Sequence, residues 1–437
     1  MSESCNSRHF SWLMKSCFPN PNDNSTTVVS SLGPKSSSSF NPDHASATAT
    51  TITISSIPDD ILLDCLSRVP PHSIPHLSLV CRRWSRLLLS PIFSDLRRLH
   101  GLLRPTLFAL SASDSALFAA TLRFEKDPSD TSDDNENEWR VSAFLPDDVV
   151  SAVGDHGFPS HARLSAVGPR IYIVGRNATL RYDTWTGTVT ARSAMTFSRK
   201  KFAAAAVSGK IYVAGGGSRT TAVEEYDPDE DKWRVVANAS RSRYGCIGAS
   251  VDGVFYVIGG LKLGASGNTD ISRAASAEAH VYASSMDLYD VEARAWLRSR
   301  AVPGGGCVVA ACAAAGYVYV LASHAVELSF WRFDARRKKG SGSGGGFGDW
   351  CRIRSPPLPA QVRVDSTVRF SCAGVGDKVV LVQVSGCIDD LLRRSGRSVR
   401  GLKEGLVMVY DTVAGEWSRA ADLPELIRRA ACVCVEC

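Results

Sequence analysis

The residues Lys210-Ile211-Tyr212-Val213-Ala214-Gly215-Gly216 form an apolar run that ends in a pair of glycines. The same pattern returns as Val254-Phe255-Tyr256-Val257-Ile258-Gly259-Gly260, and three looser copies are Arg170-Ile171-Tyr172-Ile173-Val174-Gly175, Tyr317-Val318-Tyr319-Val320-Leu321 and Lys378-Val379-Val380-Leu381-Val382. Short runs rich in β-branched and aromatic residues, bounded by Gly, are typical of β-strands. The chain therefore repeats one strand-forming unit five times.

An aromatic residue followed by Asp comes after each run. In three copies a Trp stands seven residues after the aromatic residue: Tyr226 and Trp233, Tyr289 and Trp296, Tyr410 and Trp417. In the other two copies, Tyr182 is followed by Val189 at that spacing, and Phe333 is separated from Trp350 by a Lys-, Gly- and Ser-rich insertion. Aromatic residues at a fixed phase of a repeat predict packing between neighbouring units rather than a sugar-binding platform.

The spacing of the copies predicts the architecture. A repeat of about forty to sixty residues holding about four short strands is typical of a β-propeller, in which blades stack around an axis because one sheet cannot bury both faces alone. These features resemble the kelch repeat, from Leu107 to the end of the chain. The fold class that the resemblance implies is mainly β.

The ends of this region predict how many blades there are. Three strand-like segments, Leu107 to Leu110, Phe118 to Phe124 and Trp139 to Phe144, lack an opening strand, and Ala430 to Glu436 is a strand left over after the last repeat. Together they would make one blade, so we expect a six-bladed propeller over residues 105–437, closed by the C-terminal strand. Seven blades remain an alternative if residues 261–285 hide a repeat.

The stretch from Ile57 to Phe93 contains two short helical patterns. The first runs from Ile57 to Pro70, with Asp59 and Asp60 in the first turn, and the second from His76 to Leu89, with apolar residues along one wide face. So many large apolar groups exceed what two short helices can bury against each other. We therefore expect a partner to cover part of this surface, although a helical hairpin that caps another domain is the alternative.

This segment resembles an F-box through Ile57-Pro58, Leu66 to Pro70 and Val80 to Trp84. The resemblance implies a small all-α domain over residues 56–98 that binds a Skp-type adaptor, and through it cullin and RING subunits. Trp84 is either an adaptor contact or holds the two helices together. The adaptor-binding residues that the resemblance predicts are Ile57, Pro58, Ile61, Leu62, Leu66, Val69, Pro70, Leu77, Val80, Cys81, Trp84 and Leu87.

Composition limits the class of protein. The chain has 437 residues, of which 44% are hydrophobic, and a formal net charge of +6 with dispersed Lys and Arg. This predicts a globular protein with no nucleic-acid partner and no membrane segment, located in the cytoplasm, the nucleus or both. Residues 1–55 are rich in Ser, Thr, Asn and Pro, which predicts a disordered tail. The thirteen cysteines are an odd number scattered along the chain, which predicts reduced thiols rather than a disulfide framework.

No motif in the sequence predicts catalysis. The nine histidines form no His-Glu-x-x-His or His-x-His arrangement, and the Gly-rich run from Gly340 to Gly348 has no helix after it that could hold a nucleotide phosphate. Cys432 and Cys434 alternate on the last strand and are expected to be packing residues rather than metal ligands. We predict no catalytic residue, no metal and no cofactor.

The connections from strand two to strand three, and from blade to blade, gather on one face of a propeller. They are rich in basic residues, so we expect this face to bind a protein target through an acidic or phosphorylated segment. The alternative is that these arginines pair with local carboxylates or water. The candidate target-binding residues are Arg176, Asn177, Arg199, Lys200, Arg219, Arg241, Arg243, Tyr244 and Arg363.

The order of F-box then kelch repeats resembles a family abundant in plants. It implies the substrate-recognition subunit of an SCF-type ubiquitin ligase, which is not itself an enzyme and which directs its target to ubiquitination and proteasomal degradation. Tethering would act by raising the concentration of the target near the conjugating enzyme. The alternatives are a kelch-propeller scaffold and a propeller enzyme, neither linked to ubiquitin.

Overall fold

The structure is a computed structural model that describes residues 54–112, 117–124, 138–144, 162–217, 220–262, 280–324, 327–336, 348–358, 362–364, 368–386, 388–390, 405–427 and 429–437. Helices come first, and strands follow. The helices are α1 (Asp59–Ser67), α2 (Ile74–Ser78), α3 (Arg82–Leu88) and α4 (Pro91–Leu99), with 3-10 turns at Ile54–Ser56, Pro71–Ser73 and, much later, His280–Tyr282.

The strands form antiparallel sheets that we number as blades in chain order. Blade 1 contains β1 (Pro105–Ala112), β2 (Leu117–Arg123) and β3 (Arg140–Phe144), and blade 2 contains β4 (Arg163–Val167), β5 (Arg170–Val174), β6 (Thr179–Asp183) and β7 (Val189–Arg192). Blade 3 contains β8 (Ala203–Val207), β9 (Lys210–Ala214), β10 (Ala222–Asp227) and β11 (Lys232–Asn238). A two-stranded ribbon of β12 (Arg243–Tyr244) and β15 (Leu261–Lys262) accompanies blade 4, which contains β13 (Ile247–Val251), β14 (Val254–Ile258), β16 (Ser285–Asp290), β17 (Ala295–Trp296) and β18 (Arg300–Ala301).

Blades 5 and 6 have the same plan. Blade 5 contains β19 (Cys307–Ala314), β20 (Tyr317–His324), β21 (Glu327–Asp334) and β22 (Trp350–Ile353). Blade 6 contains β24 (Arg369–Val375), β25 (Lys378–Ser385), β27 (Val407–Asp411) and β28 (Glu416–Arg419), beside a ribbon of β23 (Val362–Val364) and β26 (Ile388–Asp390). The last strand, β29 (Ala431–Glu436), pairs with β1 and completes blade 1.

The six-bladed, mainly β fold predicted from the repeats is confirmed. Each of six buried apolar clusters fills the wedge between two neighbouring blades, including the wedge between blades 6 and 1. The wedge between blades 5 and 6, for example, holds Tyr319, Phe330 and Tyr410. The six blades therefore form a closed ring, with a buried apolar cluster between each pair of neighbouring blades.

The ring is closed by pairing the two ends of the propeller. Leu107 of β1 lies opposite Cys434 of β29, and Ala109 lies opposite Cys432. The backbones of Arg104 and Cys437 also exchange two hydrogen bonds of 3.1 Å. This pairing covers the edge of β1, which would otherwise be open to pairing with another chain.

The repeated Trp residues link neighbouring blades, as their phase predicts. Each ring packs on the aromatic residue seven positions earlier, with a centroid distance of 5.0 Å for Tyr226 and Trp233. The indole Nε1 of Trp233 donates to the carbonyl of Ser193 in the preceding blade at 2.8 Å. Trp296 and Trp417 make the same bond to the ends of blades 3 and 5. The three tryptophans therefore pack and hydrogen-bond between neighbouring blades.

The helical domain differs in two ways from the predicted hairpin. The second predicted helix, His76 to Leu89, is broken at Leu79–Cys81 into α2 and α3, and α4 adds a further helix. The guanidinium of Arg97 on α4 is fully buried and donates to the carbonyls of Ser67, at 3.1 Å, and Val69, at 2.7 Å. These bonds fix α4 to the end of α1.

The helical domain also packs against the propeller. Phe93 of α4 meets Trp185, in the turn between β6 and β7, edge to face with ring centroids 4.9 Å apart. Arg170 at the start of β5 donates to the carbonyl of Leu89 at 2.7 Å. Leu88 belongs to the same buried cluster as Tyr182. One side of the domain is therefore covered by blades 1 and 2.

Candidate functional site

Another side of the helical domain exposes apolar groups. Leu79 is 82% exposed and Ile61 is 54% exposed. Arg83 of α3 donates to Asp59 at 2.7 Å and to the backbone carbonyl of Ile57, which holds the start of α1 against α3. We use the name helical apolar face for the exposed or half-buried residues Ile57, Pro58, Ile61, Leu77, Leu79, Val80 and Cys81. Leu79 was not among the predicted adaptor-binding residues. The signal that could have found it is its position, since it is a large apolar residue between two short helices.

Four of the predicted adaptor contacts lie inside the domain instead. Leu62, Leu66, Trp84 and Leu87 are each between 4% and 7% exposed and belong to one buried cluster. A domain this small needs its largest apolar side chains for its own core. For Trp84 the structure therefore corresponds to the second alternative, in which it holds the helices together. Val69 is half-buried and Pro70 is exposed at the end of α1.

The second candidate surface is the loop face, which comprises the connections from strand two to strand three and from blade to blade. Because the strands of a blade alternate in direction, these connections lie on one side of the propeller, and the other hairpin turns lie on the opposite side. Arg170 and Trp185, which contact the helical domain, stand in turns of the opposite side. The helical domain and the loop face are therefore on opposite sides of the propeller.

Arg199 and Arg243, two of the predicted target contacts, are buried beneath the loop face, so this part of the prediction is wrong. Each is 1% exposed. Arg199 pairs with Glu224 at 3.0 Å, and Arg243 pairs with Asp287 at 2.8 Å. Burial of a guanidinium requires such a partner, because an uncompensated charge in the interior is costly. Neither side chain is free to contact a target.

Arg199 and Arg243 make equivalent hydrogen bonds in successive blades. Arg199 donates to the carbonyl of Gly215 at 2.9 Å, and Arg243 donates to that of Gly259 at 2.8 Å, in both cases sixteen residues along the chain. These glycines are the first of each Gly-Gly pair. The second glycine of the first pair, Gly216, has a φ of +74°, and a Cβ there would lie 2.6 Å from the carbonyl oxygen of Lys200. The repeated spacing is the sequence signal that separates these structural arginines from surface ones.

Other predicted residues do lie on the loop face. Arg176, Asn177 and Lys200 are exposed, and Arg176 donates to Ser198 at 2.8 Å. Arg241 is half-buried, with its guanidinium 3.2 Å from Asp287 and 5.2 Å from the centre of the Tyr282 ring. Tyr244 is half-buried beneath the ammonium group of Lys201. Arg219 and the side chain of Arg363 lie outside the residues that the structure describes.

Two further cations, missed in the sequence, stand at the entry of inner strands on this face. Arg163 at the start of β4 donates to the carbonyls of Phe202, at 2.7 Å, and Cys246, at 3.4 Å, and so reaches across two further blades. Burial, and to a lesser extent the charge of Arg369, lower the pKa of Arg163. Arg369 at the start of β24 is exposed. Together with Arg176 and Lys200, they give the described part of the loop face a positive surface.

The described residues contain no group of three or more His, Cys, Asp and Glu side chains arranged to hold a metal ion. Burial raises the pKa of the Cys432 and Cys434 thiols to about 12. Both therefore stay protonated at neutral pH, as packing residues do. Among the helices in the described part of the chain, none combines the length and apolar character needed to cross a bilayer.

Comparison with known proteins matches both regions. The F-box domain family matches residues 54–95, and the Kelch motif family matches residues 198–240. An F-box/kelch-repeat protein of Arabidopsis thaliana is 62% identical over 439 aligned residues, which cover 100% of both chains. A second F-box/kelch-repeat protein of Arabidopsis thaliana is 26% identical over 56% of this chain and 61% of its own, and a third is 27% identical over 47% and 52%.

Proposed function

Because the chain belongs to the F-box/kelch-repeat family, we propose that it is the substrate-recognition subunit of an SCF-type ubiquitin ligase. Proteins of this family are generally SCF substrate adaptors. The F-box binds a Skp-type adaptor, which links it to cullin and RING subunits, and the propeller binds the protein to be ubiquitinated. We place this work in the cytoplasm, the nucleus or both.

One observation supports this assignment best. The helical apolar face is not covered by the propeller, and the loop face points away from it. A receptor needs two such surfaces, because adaptor and target must be bound at the same time without collision. The rigid contact between Phe93 and Trp185 would then fix the distance between them.

The adaptor should bind the helical apolar face through Leu79 and Ile61. Large apolar side chains with this degree of exposure mark a protein–protein contact when they cluster with others. Burying them recovers the free energy lost by leaving them in water. Pro58 and Cys81, which are also exposed, extend the same surface.

Binding of a purified Skp-type adaptor to the full chain tests this role. We expect Leu79→Asp to weaken binding by about 2 kcal/mol or more, as for other interface anchors. Val413→Asp is the matched control, because Val413 is also 82% exposed but lies in blade 6, between β27 and β28. Binding of the adaptor to Leu79→Asp as tightly as to the unchanged chain would contradict the proposal.

The target should offer an acidic or phosphorylated segment to the loop face. Arg176 and Lys200 are exposed there, and neither makes an ion pair in the described part of the chain. Arginine can bind a carboxylate or phosphate through two hydrogen bonds at once, which makes it well suited to this contact. Arg199 and Arg243 support the surface from below rather than touching the target.

Affinity capture from plant cells tests the target surface. A chain lacking residues 57–98 should trap targets, because it cannot deliver them to the ligase. We expect the double change Arg176→Glu and Lys200→Glu to release those proteins. Lys232→Glu is the control, since Lys232 is an exposed cation on the opposite side of blade 3. Equal capture by the double variant would rule out this surface.

The same measurements separate the other candidate functions. A propeller scaffold unconnected with ubiquitin would bind no adaptor and would keep its partners when residues 57–98 are removed. A propeller enzyme would also bind no adaptor, and substrate conversion by the purified chain would identify it.

A further inference from the structure

The loop face brings a thiol and an imidazole into contact. Cys307 is the first residue of β19, the inner strand of blade 5, and His280 opens the 3-10 turn between β15 and β16 of the neighbouring blade. The Sγ atom of Cys307 lies 3.6 Å from Nδ1 of His280. The two residues are 27 positions apart, so the pair exists only in the folded protein.

Backbone hydrogen bonds hold the two residues in place. The amide of Val308 donates to the carbonyl of Ala283 at 3.1 Å, and the amide of Ala283 donates to the carbonyl of His280 at 2.9 Å. The buried guanidinium of Arg243 donates to the carbonyl of Tyr282 at 3.0 Å and so supports the turn from within. The strand that begins at Cys307 is therefore bonded directly to the turn that begins at His280.

The backbone that leads into Cys307 is also held in one conformation. Gly306, which precedes it, has a φ of +80°, and a Cβ at this position would lie 2.4 Å from the carbonyl oxygen of Ser323. Only glycine fits there without moving β20. The direction in which the chain enters β19, and with it the position of Cys307, is therefore set by the packing of blade 5.

Cys307 combines partial exposure to solvent with a histidine contact. Cys307 is half-buried, and His280 is exposed, so small molecules can reach the pair. Partial burial raises the pKa of the Cys307 thiol, which disfavours the thiolate. Since the thiolate is the nucleophile, a thiol in this position needs a neighbouring base in order to react at neutral pH.

We propose that Cys307 and His280 form a modification site for small soft electrophiles of the α,β-unsaturated carbonyl class. Nδ1 of His280 accepts the proton of the thiol while Sγ bonds to the β-carbon, and the π electrons move to the enolate. The imidazolium then returns the proton to the α-carbon. The product is a thioether, and no oxidant, reductant or leaving group is required.

The site lies on the face proposed to bind targets, but its chemistry does not depend on that proposal. If the loop face does bind targets, an adduct at Cys307 would add bulk beside His280, at the start of the turn His280–Tyr282, and lower target affinity. The reactivity of the pair can be measured in the purified chain without any partner.

Labelling of the full-length chain with N-ethylmaleimide, resolved by residue with mass spectrometry, tests the inference. We expect Cys307 to react several-fold faster than Cys65, Cys81 and Cys351, which are more exposed but have no His contact among the described residues. His280→Gln should slow Cys307 by about tenfold or more, as loss of a general base does. His72→Gln is the control, because His72 is an exposed histidine in the 3-10 turn Pro71–Ser73 of the helical domain.

Two results would overturn the inference. One is a Cys307 rate in the unchanged chain no higher than that of the three exposed cysteines. The other is an equal Cys307 rate in His280→Gln and the unchanged chain. Both rates are referred to Cys351 in the same sample, and thermal unfolding shows whether each variant is folded. Cys307→Ser, which removes the labelled atom, identifies the adduct peak.

Discussion

At the scale of single residues, buried ion pairs hold the loop face together. The guanidinium of Arg199 donates to Glu224 through Nε and to the backbone carbonyls of Gly215 and Ala222 through its two other nitrogens. Its Nε–H is therefore not available to a ligand. Arg243 repeats this arrangement with Asp287. Removing a buried cation of this kind lowers the stability of the fold, because the partner carboxylate stays buried without a compensating charge.

Arg199→Met should therefore destabilise the propeller by about 3–5 kcal/mol, since Glu224 would be left buried and unpaired. Urea unfolding followed by fluorescence measures the change. Arg176→Met is the matched control, and we expect it to change the unfolding free energy by no more than about 0.5 kcal/mol because Arg176 is exposed. A similar loss in both variants would show that burial of the pair is not the cause.

Acid should weaken blade 3 through Glu225. Burial alone would raise the pKa of this carboxyl, but hydrogen bonds from Lys210 and Tyr212 outweigh it and hold the pKa below the ordinary value of 4.5. A carboxyl with a lowered pKa binds protons more weakly in the folded state. Its contribution is thus complete above about pH 4.5 and is lost as the pH falls through the lower folded-state pKa.

We therefore expect Glu225→Gln to reduce the dependence of unfolding free energy on pH below about 4.5, relative to the unchanged chain. Urea unfolding at a series of acid pH values measures this slope. Glu292→Gln serves as the control, because Glu292 is an exposed carboxyl in the turn between β16 and β17. An unchanged slope in Glu225→Gln would mean that other carboxyls set the acid response.

The residues next to each arginine do not distinguish the buried arginines from the exposed ones, and only the sixteen-residue spacing to a glycine, repeated at Arg199 and Arg243, marks the buried ones in the sequence. Arg199 and Arg176 both follow the pattern of a polar connection between strands. What separates them is a carboxylate 25 residues further on, at Glu224, which the fold brings to the guanidinium. The exposure of Leu79 and the burial of Trp84 depend in the same way on how α2, α3 and α4 pack, which a helical pattern does not specify.

At the scale of elements, the closing strand β29 determines whether the ring is intact. It pairs with β1 over six residue pairs and packs against its inner-strand neighbours β24 and β4. Without it, blade 1 would have three strands and the edge of β1 would be exposed. An uncovered edge of this kind is a site of aggregation.

Deletion of residues 431–437 should lower the thermal unfolding temperature and produce aggregates at micromolar concentration, because it removes one strand and opens two wedges of apolar packing. Scanning calorimetry and light scattering measure both effects. Glu436→Ala, which changes an exposed side chain of β29, is the control and should behave like the unchanged chain. A monomeric deletion variant with an unchanged melting profile would contradict a closing role for β29.

The elements of the propeller could be predicted because their signal is local and repeated. Each of the five copies of the apolar run marks the inner strands of one blade, from blade 2 to blade 6. The strand-like segments at the two ends of the region supply blade 1, which brings the number to six. The helical domain has no such repetition. The added helix Pro91–Leu99 is held by Arg97 and Phe93, whose partners lie in α1 and in blade 2.

At the scale of the whole molecule, the contact between helices and propeller sets their relative position. Phe93 is fully buried between the two, against Trp185, and Arg98 of α4 lies 3.6 Å from Glu436 of β29. The surface pair contributes little, whereas the buried ring contributes through the area it removes from water. Phe93 is the residue on which this junction depends most.

Phe93→Ala should cost about 3–5 kcal/mol of stability and free the helical domain from the propeller. Limited proteolysis measures the second effect as faster cleavage in residues 100–104, between α4 and β1. Ile92→Ala is the control. Ile92 precedes Phe93 and is 59% exposed, so its truncation should leave the cleavage rate unchanged. Resistance of Phe93→Ala to cleavage would show that other contacts suffice to hold the domain.

The pairing of the first and last strands also has a consequence for synthesis. A ribosome makes β1 more than three hundred residues before β29, which at typical rates is a delay on the order of tens of seconds. During that interval the nascent protein has an open ring, whose first sheet waits for its fourth member. Until β29 has been made and has paired, the uncovered edge of β1 is open to pairing with other chains, so we expect the nascent propeller to need a molecular chaperone that shields this edge.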